Sequence, residues 1–359
     1  MRTEPTADIA TETRTRRLSA PADKEAEVRR LVTQMPGQRL PGEREWATQL
    51  NISRPQLRAI LAVLRREGIV EQRQGSGTYA VDPRGEPRLR RVALLIDSRL
   101  KFGDDPFFSF LLERLQAQLQ AEGVRCLIER ISEADATQDT PHTEDGMLTL
   151  GMVGETLLAR HRSGQPPLVA LLLGPKAHPQ RSASVFQLDD REGGRDAVQS
   201  LVGGGCRDLL YVGRDDIPAA AERHAGAAEA AGERGISLQF QVCGLNYAAG
   251  LRLGRTLAVE ENKDPLGIIA TNDWLAVGLR AGLQDRGEAV HREIRIVSFD
   301  GLPITADPAL KIASLMVPIE TIAQDAVAEL HRLVRPGAGS GRILRYPFSW
   351  RQEKGTGDV

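Results

Sequence analysis

Hydrophobic spacing divides the chain into two regions of different character. Between Asp23 and Met35 the apolar residues Ala26, Val28, Leu31, Val32 and Met35 recur at helical intervals, and Pro36-Gly37 ends the run. A short helical stretch from about Gly42 to Leu50 places Trp46, Ala47 and Leu50 on one face, and Asn51-Ile52 follows as a tight turn. Ser53 stands where an N-cap belongs. Pro55 falls in a first helical turn that needs no backbone N–H, and Leu57, Ile60, Leu61 and Leu64 form the inward stripe. Gly68 stops that helix. IVEQRQ and TYAV, separated by Gly75-Ser76-Gly77, read as two short strands with a glycine-rich tip. The order helix, helix, turn, helix, hairpin predicts a winged helix-turn-helix over residues 21–82, with a polar, aperiodic and flexible arm at 1–20.

Residues 83–90, rich in Pro, Gly and Arg, read as a linker. Beyond them RVALLI is a continuous apolar run, as expected of a strand buried on both faces of a parallel sheet. A helical stretch around Phe108–Glu122 and the strand VRCLIERI follow. Further strands are expected at 168–174, 184–189, 208–213, 237–242, 266–271 and 294–299, with helical patterns between most of them. This alternation predicts a doubly wound α/β architecture over residues 91–350, followed by a tail at 351–359. The length exceeds one ordinary α/β lobe, so two lobes with a cleft between them are expected.

Composition narrows the class. Hydrophobic residues make up 41% and charged ones 26% of 359, values of an ordinary soluble globular protein. No apolar run approaches the ~18 residues of a membrane span. The first residues carry charge but no apolar core of a secretory signal, which leads to the expectation of a cytoplasmic protein without a membrane partner. Cys126, Cys206 and Cys243 form no C-x-x-C and read as buried, reduced thiols. Net charge is uneven. Residues 14–82 carry 13 Arg and Lys against 8 Asp and Glu, whereas residues 83–359 carry 33 against 37. A basic head on an acidic body suits a polyanion-binding domain on a non-binding remainder. No G-x-S-x-G, H-E-x-x-H, phosphate loop or dinucleotide fingerprint is present, and the six histidines have no ligand spacing. Neither an enzyme, a cofactor nor a metal site is expected.

The stretch from Leu40 to Val81 contains LPGEREWA, SRPQLRAIL and RQGSGT in that order, and it resembles the GntR family of bacterial transcription regulators. The resemblance implies that this head binds operator DNA. Arg54, Gln56 and Arg58 would lie in the first turns of a recognition helix that Ser53 opens. Arginine can fork onto guanine and glutamine onto adenine in the major groove. Arg44 would reach in from the preceding helix, and Arg73, Gly75, Ser76, Gly77 and Thr78 would bring the wing to the DNA. Pro55-Gln56 replaces the small hydroxyl pair of the family pattern, which alters phosphate contact rather than fold.

Residues 91–350 resemble the effector-binding domain of the LacI/GalR regulators, with a periplasmic-binding-protein-like fold. The blocks that carry the resemblance are RVALLI with DPFF at 105–108, LDDREGGRDAVQSLVGGGCRDLLYVG at 188–213, ERHAGAAEAAGERGI at 222–236, TNDWLAVGLRAGLQDRG at 271–287 and IRIVSFDGLP at 294–303. The first departs from the family's N-P-F-F by carrying Asp105 in place of an asparagine. The resemblance implies that Arg223, Asn272 and Asp300 contact a small polar effector, which their fixed donors and acceptors suit to vicinal hydroxyls. Phe107 and Phe108 would stack on an apolar sugar face or pack beneath the site. Asp97, Asp105 and Asp189 are expected on the rim, Asp273 as a contact or as a helix cap, and Trp274 in the core. Val317 stands where the family often has a glutamine, which leaves a purine or nucleoside open beside a sugar. The expectation is a ligand-responsive repressor acting as a homodimer. A sugar-processing enzyme or binding protein is the remote alternative.

Overall fold

The computed structural model describes residues 21–73, 77–81, 89–138, 143–259, 264–287, 292–335 and 337–351. The arm, most of the linker and nearly all of the tail lie outside these residues. The chain divides into two compact units between Glu86 and Pro87.

In the first unit, α1 (Pro21–Thr33), α2 (Glu43–Gln49) and α3 (Arg54–Arg66) precede a hairpin of β1 (Val70–Arg73) and β2 (Gly77–Ala80). Val28 and Val32 enter the core, but Ala26 is exposed, so the inward stripe of α1 is narrower than its spacing predicts. Trp46, Ala47, Leu50, Leu57, Ile60, Leu61 and Leu64 meet α1 and the hairpin in one apolar cluster. Asn51 turns the chain between α2 and α3 with φ +53°, a conformation that asparagine tolerates better than most residues. The hairpin is antiparallel, in the register Val70 to Ala80 and Arg73 to Gly77.

The second unit has two six-stranded sheets. The first lobe runs β3 (Arg91–Asp97), α4 (Phe107–Ala121), β4 (Arg125–Ile131), α5 (Glu133–Ala136), β5 (Gly146–Leu150), α6 (Val153–Arg160), β6 (Leu168–Leu171) and β7 (Ala183–Leu188). The chain then crosses over. The second lobe runs α7 (Asp190–Gly203), β8 (Asp208–Gly213), α8 (Pro218–Glu233), β9 (Leu238–Val242), α9 (Tyr247–Thr256), β10 (Leu266–Ala270), α10 (Asp273–Gln284), β11 (Ile294–Asp300) and β12 (Ile312–Met316). Helix α11 (Ile319–Val334) returns to the core of the first lobe, where β13 (Ile343–Tyr346) adds to β7 in parallel. A third crossing brings β14 (Ser349–Trp350) back against β12, the one antiparallel pair in these two sheets among the described residues. The strand orders are β4-β3-β5-β6-β7-β13 and β9-β8-β10-β11-β12-β14. Both are doubly wound, with the order reversing beside β3 in one sheet and β8 in the other. Loops at the C-terminal strand ends near such reversals form the ligand crevice of open α/β sheets.

A buried carboxylate fixes the returning segment. Glu329 of α11 is 1% exposed. It accepts from Ser184 Oγ of β7 at 2.5 Å, Arg332 Nη2 at 2.6 Å and Arg342 Nε at 3.0 Å. These charge-assisted bonds hold its carboxyl below the usual range against the opposing effect of burial. They tie α11, β7 and the approach to β13 into one unit.

The cysteines are free thiols, but only Cys206 is fully buried; Cys126 and Cys243 are intermediate, at the outer β4 strand and just after β9. Burial raises all three above the ordinary thiol pKa. No described helix is long and apolar enough to cross a membrane.

Candidate functional site

On the head, the buried face of α3 fixes what the other face presents. Ser53, Arg54, Gln56 and Arg58 are exposed opposite the Leu57–Leu64 stripe, and Arg44 is exposed on α2. Three of these are already engaged. Ser53 Oγ accepts from Gln56 N at 3.3 Å, while Gln56 Oε1 accepts from Ser53 N at 3.0 Å and Oγ at 2.9 Å. This is a reciprocal capping box, so Gln56 must release an acceptor before it can fork onto a base. Arg58 Nε donates to Glu43 Oε2 at 2.7 Å. Arg44 and Arg54 form no ion pair among the described residues, which leaves their guanidinium groups free. Arg73 ends β1 opposite Gly77, and Thr78 supplies the carbonyl that accepts from Leu40 N at 2.8 Å. Gly75 and Ser76 lie outside the described residues. Gly77 has φ +114°, and a Cβ there would come within 2.8 Å of Arg39 Nε. Arg39 is thus a wing-side cation that the motif reading passed over, because it precedes the motif in an irregular segment.

In the body, Arg223, Asn272 and Asp300 converge from α8 and the ends of β10 and β11. Their approach depends on two glycines. A Cβ on Gly194 of α7 would lie 2.0 Å from Arg223 O, and one on Gly226 of α8 would lie 1.8 Å from Arg191 O. Only bare backbone lets α7 and α8 close to this distance, and the closure brings Asp190 to Arg223. Arg223 Nε donates to Asp190 Oδ1 at 2.7 Å, and Nη1 donates to Thr271 O at 2.8 Å. Its guanidinium carbon lies 4.6 Å from the Phe299 ring centre and 5.3 Å from that of Phe348. Asp300 Oδ1 is 3.9 Å from Nη1. Burial disfavours the charge of Arg223, but Asp190 and Asp300 outweigh it and keep the group firmly cationic.

Asn272 is the N-cap of α10, with Oδ1 accepting from Leu275 N at 2.9 Å. Its Nδ2 reaches Leu245 O at 3.3 Å and, in the other lobe, Asp105 Oδ2 at 3.4 Å. The cap is therefore Asn272 and not Asp273. Asp273 turns inward, where it accepts from Ser298 Oγ, from Ser314 Oγ at 2.7 Å and from Leu302 N at 2.6 Å. Burial nevertheless raises its carboxyl to about 6. Trp274 is half-buried, its ring 5.6 Å from Tyr247, and so is not the full core residue expected.

Asp300 has φ +111°, a region costly for any residue with a Cβ. It is 5% exposed, and its Oδ2 is buried with no hydrogen-bond partner among the described residues. Burial and the like charges of Asp105 and Asp273 push its carboxyl well above the carboxylate range, and Arg223 offsets this only in part. Asp105 accepts from Phe107 N at 3.1 Å and is likewise raised by burial. Phe107 lies in the first-lobe core; Phe108 is half-buried against that core, edge-on to Phe107 at 5.3 Å. Asp189 is half-buried at the first crossover. Asp97 is taken up locally. Arg99 Nη2 donates to it at 2.6 Å and Val153 N at 3.3 Å, and the arginine overcomes burial to hold the carboxyl low. Sequence reasoning missed Asp190, Thr271 and Phe348, which reach Arg223 from distant segments without a motif of their own.

Residues 25–80 match the pattern of bacterial regulatory proteins of the gntR family, and residues 198–352 match the periplasmic binding protein-like domain. The chain is a transcription regulator with a gntR-family head. The arabinose metabolism transcriptional repressor of Geobacillus stearothermophilus is 21% identical over 83% of the regulator and 86% of its own length. The regulator AscG of Escherichia coli is 24% identical over 49% of the chain and 54% of its own length, so the match spans about half of that relative. Among solved structures, a LacI family regulator from Enterococcus faecium with bound ribose superposes on 73% of the regulator and 97% of its own chain, with TM-score 0.61 and 18% identity. That likeness establishes the fold of the body as two-lobed and periplasmic-binding-protein-like. The matched domains and relatives are those of transcription regulators, not of enzymes.

Proposed function

We propose that the regulator is a cytoplasmic repressor in which a small carbohydrate, bound between the lobes of the body, controls how a homodimer of heads grips a palindromic operator. The observation that carries the effector reading is Asp300, a buried carboxylate in a strained backbone whose outer oxygen has no partner. Such a group is costly unless a ligand completes it. Arg223 lies 3.9 Å from it, and Asn272 and Asp105, 3.4 Å from each other, add further donors and acceptors. The arabinose repressor and the ribose-bound regulator lend the carbohydrate class its support. In the head, the reading assigns base contact to Arg54, Gln56 and Arg58, backbone contact to Ser53 and Arg44, and wing contact to Arg73, Gly75, Ser76, Gly77 and Thr78, with Arg39 behind them. In the body it places Arg223, Asn272, Asp300 and Asp105 on the ligand, Phe108 at its apolar face and Phe107 beneath; Asp97 positions the rim through Arg99.

The test is fluorescence anisotropy on DNA from upstream of the regulator's own gene and its neighbours, with and without a panel of pentoses, hexoses and disaccharides. One sugar should change affinity at least about tenfold, within the ordinary range of allosteric coupling. Arg54→Ala should weaken operator binding about ten- to a hundredfold and leave folding unchanged. Equal binding with every sugar, and no thermal shift by any of them, would defeat the carbohydrate reading. Val317 carries the second reading. It is buried in the first-lobe core and offers no hydrogen bond where a glutamine could have met a sugar, so purines and nucleosides belong in the same titration.

A further inference from the structure

Charge in the cleft is not balanced. Asp190 is matched by Arg223 at 2.7 Å. Asp273 is satisfied by two hydroxyls and a backbone N–H. Two carboxylates remain, one from each lobe. Asp105 is held by Phe107 N at 3.1 Å and by a long contact to Asn272 at 3.4 Å. Asp300 has Arg223 no closer than 3.9 Å and a bare, buried Oδ2. Both stand at the Thr271-Asn272 corner: Asn272 Nδ2 meets Asp105 at 3.4 Å, and Arg223 Nη1, which donates to Thr271 O at 2.8 Å, lies 3.9 Å from Asp300. Asp105 itself stands where the resembled block carries an amide, so this second carboxylate departs from the pattern of that block.

The chemistry of a ligand follows from that surplus. With the guanidinium already engaged, the half-buried Asp105 and the buried Asp300 can both ionise only at a mutual cost, which holds Asp300 protonated in the empty site and which hydrogen bonds from neutral groups only partly remove. A neutral polyol supplies O–H donors but no charge that would let both carboxyls ionise. A sugar acid or sugar phosphate adds another negative group. An ammonium supplies three N–H donors and a compensating charge at one atom. A metal ion could do the same electrostatically, but among the described residues no group of three or more His, Cys, Asp or Glu could hold one.

We infer that the effector carries a protonated amine beside its hydroxyl groups, as an amino sugar or aminopolyol does, with the amine between Asp105 and Asp300. The inference rests on the cleft being the effector site. The ammonium donates to Asp300 Oδ2 and Asp105, while Arg223 and Asn272 meet the hydroxyls. Discrimination against anionic sugars comes from the same pair, because a like charge is rejected more strongly than a missing hydrogen bond.

The experiment is isothermal titration of the full chain near pH 7 with matched sets: glucose, glucosamine and glucuronate; galactose, galactosamine and galacturonate; mannose, mannosamine and mannuronate; and sorbitol with its 1-amino-1-deoxy counterpart. In at least one set the amine should bind about tenfold or more tightly than its neutral parent, and the acid of that set should not bind. Asp105→Asn should bring the amine-to-neutral ratio close to one. It should also raise the melting temperature of the ligand-free protein, a gain that loss of a merely structural contact would not give. Asp300→Asn serves the same purpose if the first variant does not fold. A neutral sugar that binds as well as or better than its amine overturns the inference and leaves the carbohydrate reading standing. Failure of every compound in all sets, together with the wider sugar panel, overturns both.

Discussion

In the head, Arg44, Arg54 and Arg58 stand exposed on helices whose stability comes from their opposite faces. In the body, Arg223, Asn272 and Asp300 are 7%, 4% and 5% exposed, and each is in contact with protein groups. The head can therefore exchange surface residues at little structural cost, whereas Arg223 and Asn272 are part of the packing that positions their neighbours. Recognition of DNA is written on a finished surface. Under the proposed function, recognition of a ligand is written into the interior, where a change of contact is also a change of stability.

The strongest test of this contrast is Arg223→Met, which keeps bulk and removes charge. Asp190 loses its buried partner and Asp300 its nearest cation, so the body should lose about 3–5 kcal/mol of stability in urea unfolding. A loss below about 1 kcal/mol would show the cleft to be as tolerant as the head.

Second in size is a pH effect on Asp273. Its carboxyl titrates at about 6 in the folded state against about 4 unfolded, so the folded chain takes up the proton first. The resulting stabilisation is full below pH ~4 and is lost as pH rises through about 6. Relative to Asp273→Asn, the wild type should lose on the order of 2 kcal/mol between pH ~4 and pH ~7. A difference between the two proteins that stays flat, or rises with pH, contradicts the assignment.

The smallest effect belongs to the head. Glu43→Ala breaks the exposed pair with Arg58, and chemical unfolding should change by less than about 0.5 kcal/mol. Freed of that partner, Arg58 should tighten operator binding about two- to threefold. Weaker binding would instead mean that Glu43 positions Arg58 for the groove.

Legibility in the sequence followed the same division. The helices of the head and strands such as RVALLI and DLLYVG were readable, because their apolar spacing alone determines which face is buried. The strand at Gly146–Leu150 escaped: its run is five residues long, contains a fully buried Thr149, and follows a stretch without clear periodicity. Ile343–Tyr346 and Ser349–Trp350 are edge strands of four and two residues, too short to establish an alternation. In the cleft, ordered blocks located Arg223, Asn272 and Asp300. What they could not show was prior engagement. Asp97 stands at a strand end as a ligand group would, yet it is occupied by Arg99, two residues on. Asp190 reaches Arg223 across 33 residues, and Phe348 does so from within the third crossover. Neither carries a local pattern, since both contacts exist only after the sheets assemble.

The triple crossing between lobes has a consequence for synthesis. The sheet of the first lobe begins at Arg91 but is completed only by Ile343–Tyr346, and that of the second only by Ser349–Trp350. Neither lobe of the body can close on the ribosome until almost the whole chain has emerged. The head, finished by Ala80, has all of its core in hand long before. Each newly made molecule thus passes through an interval in which its head is complete and its body is not.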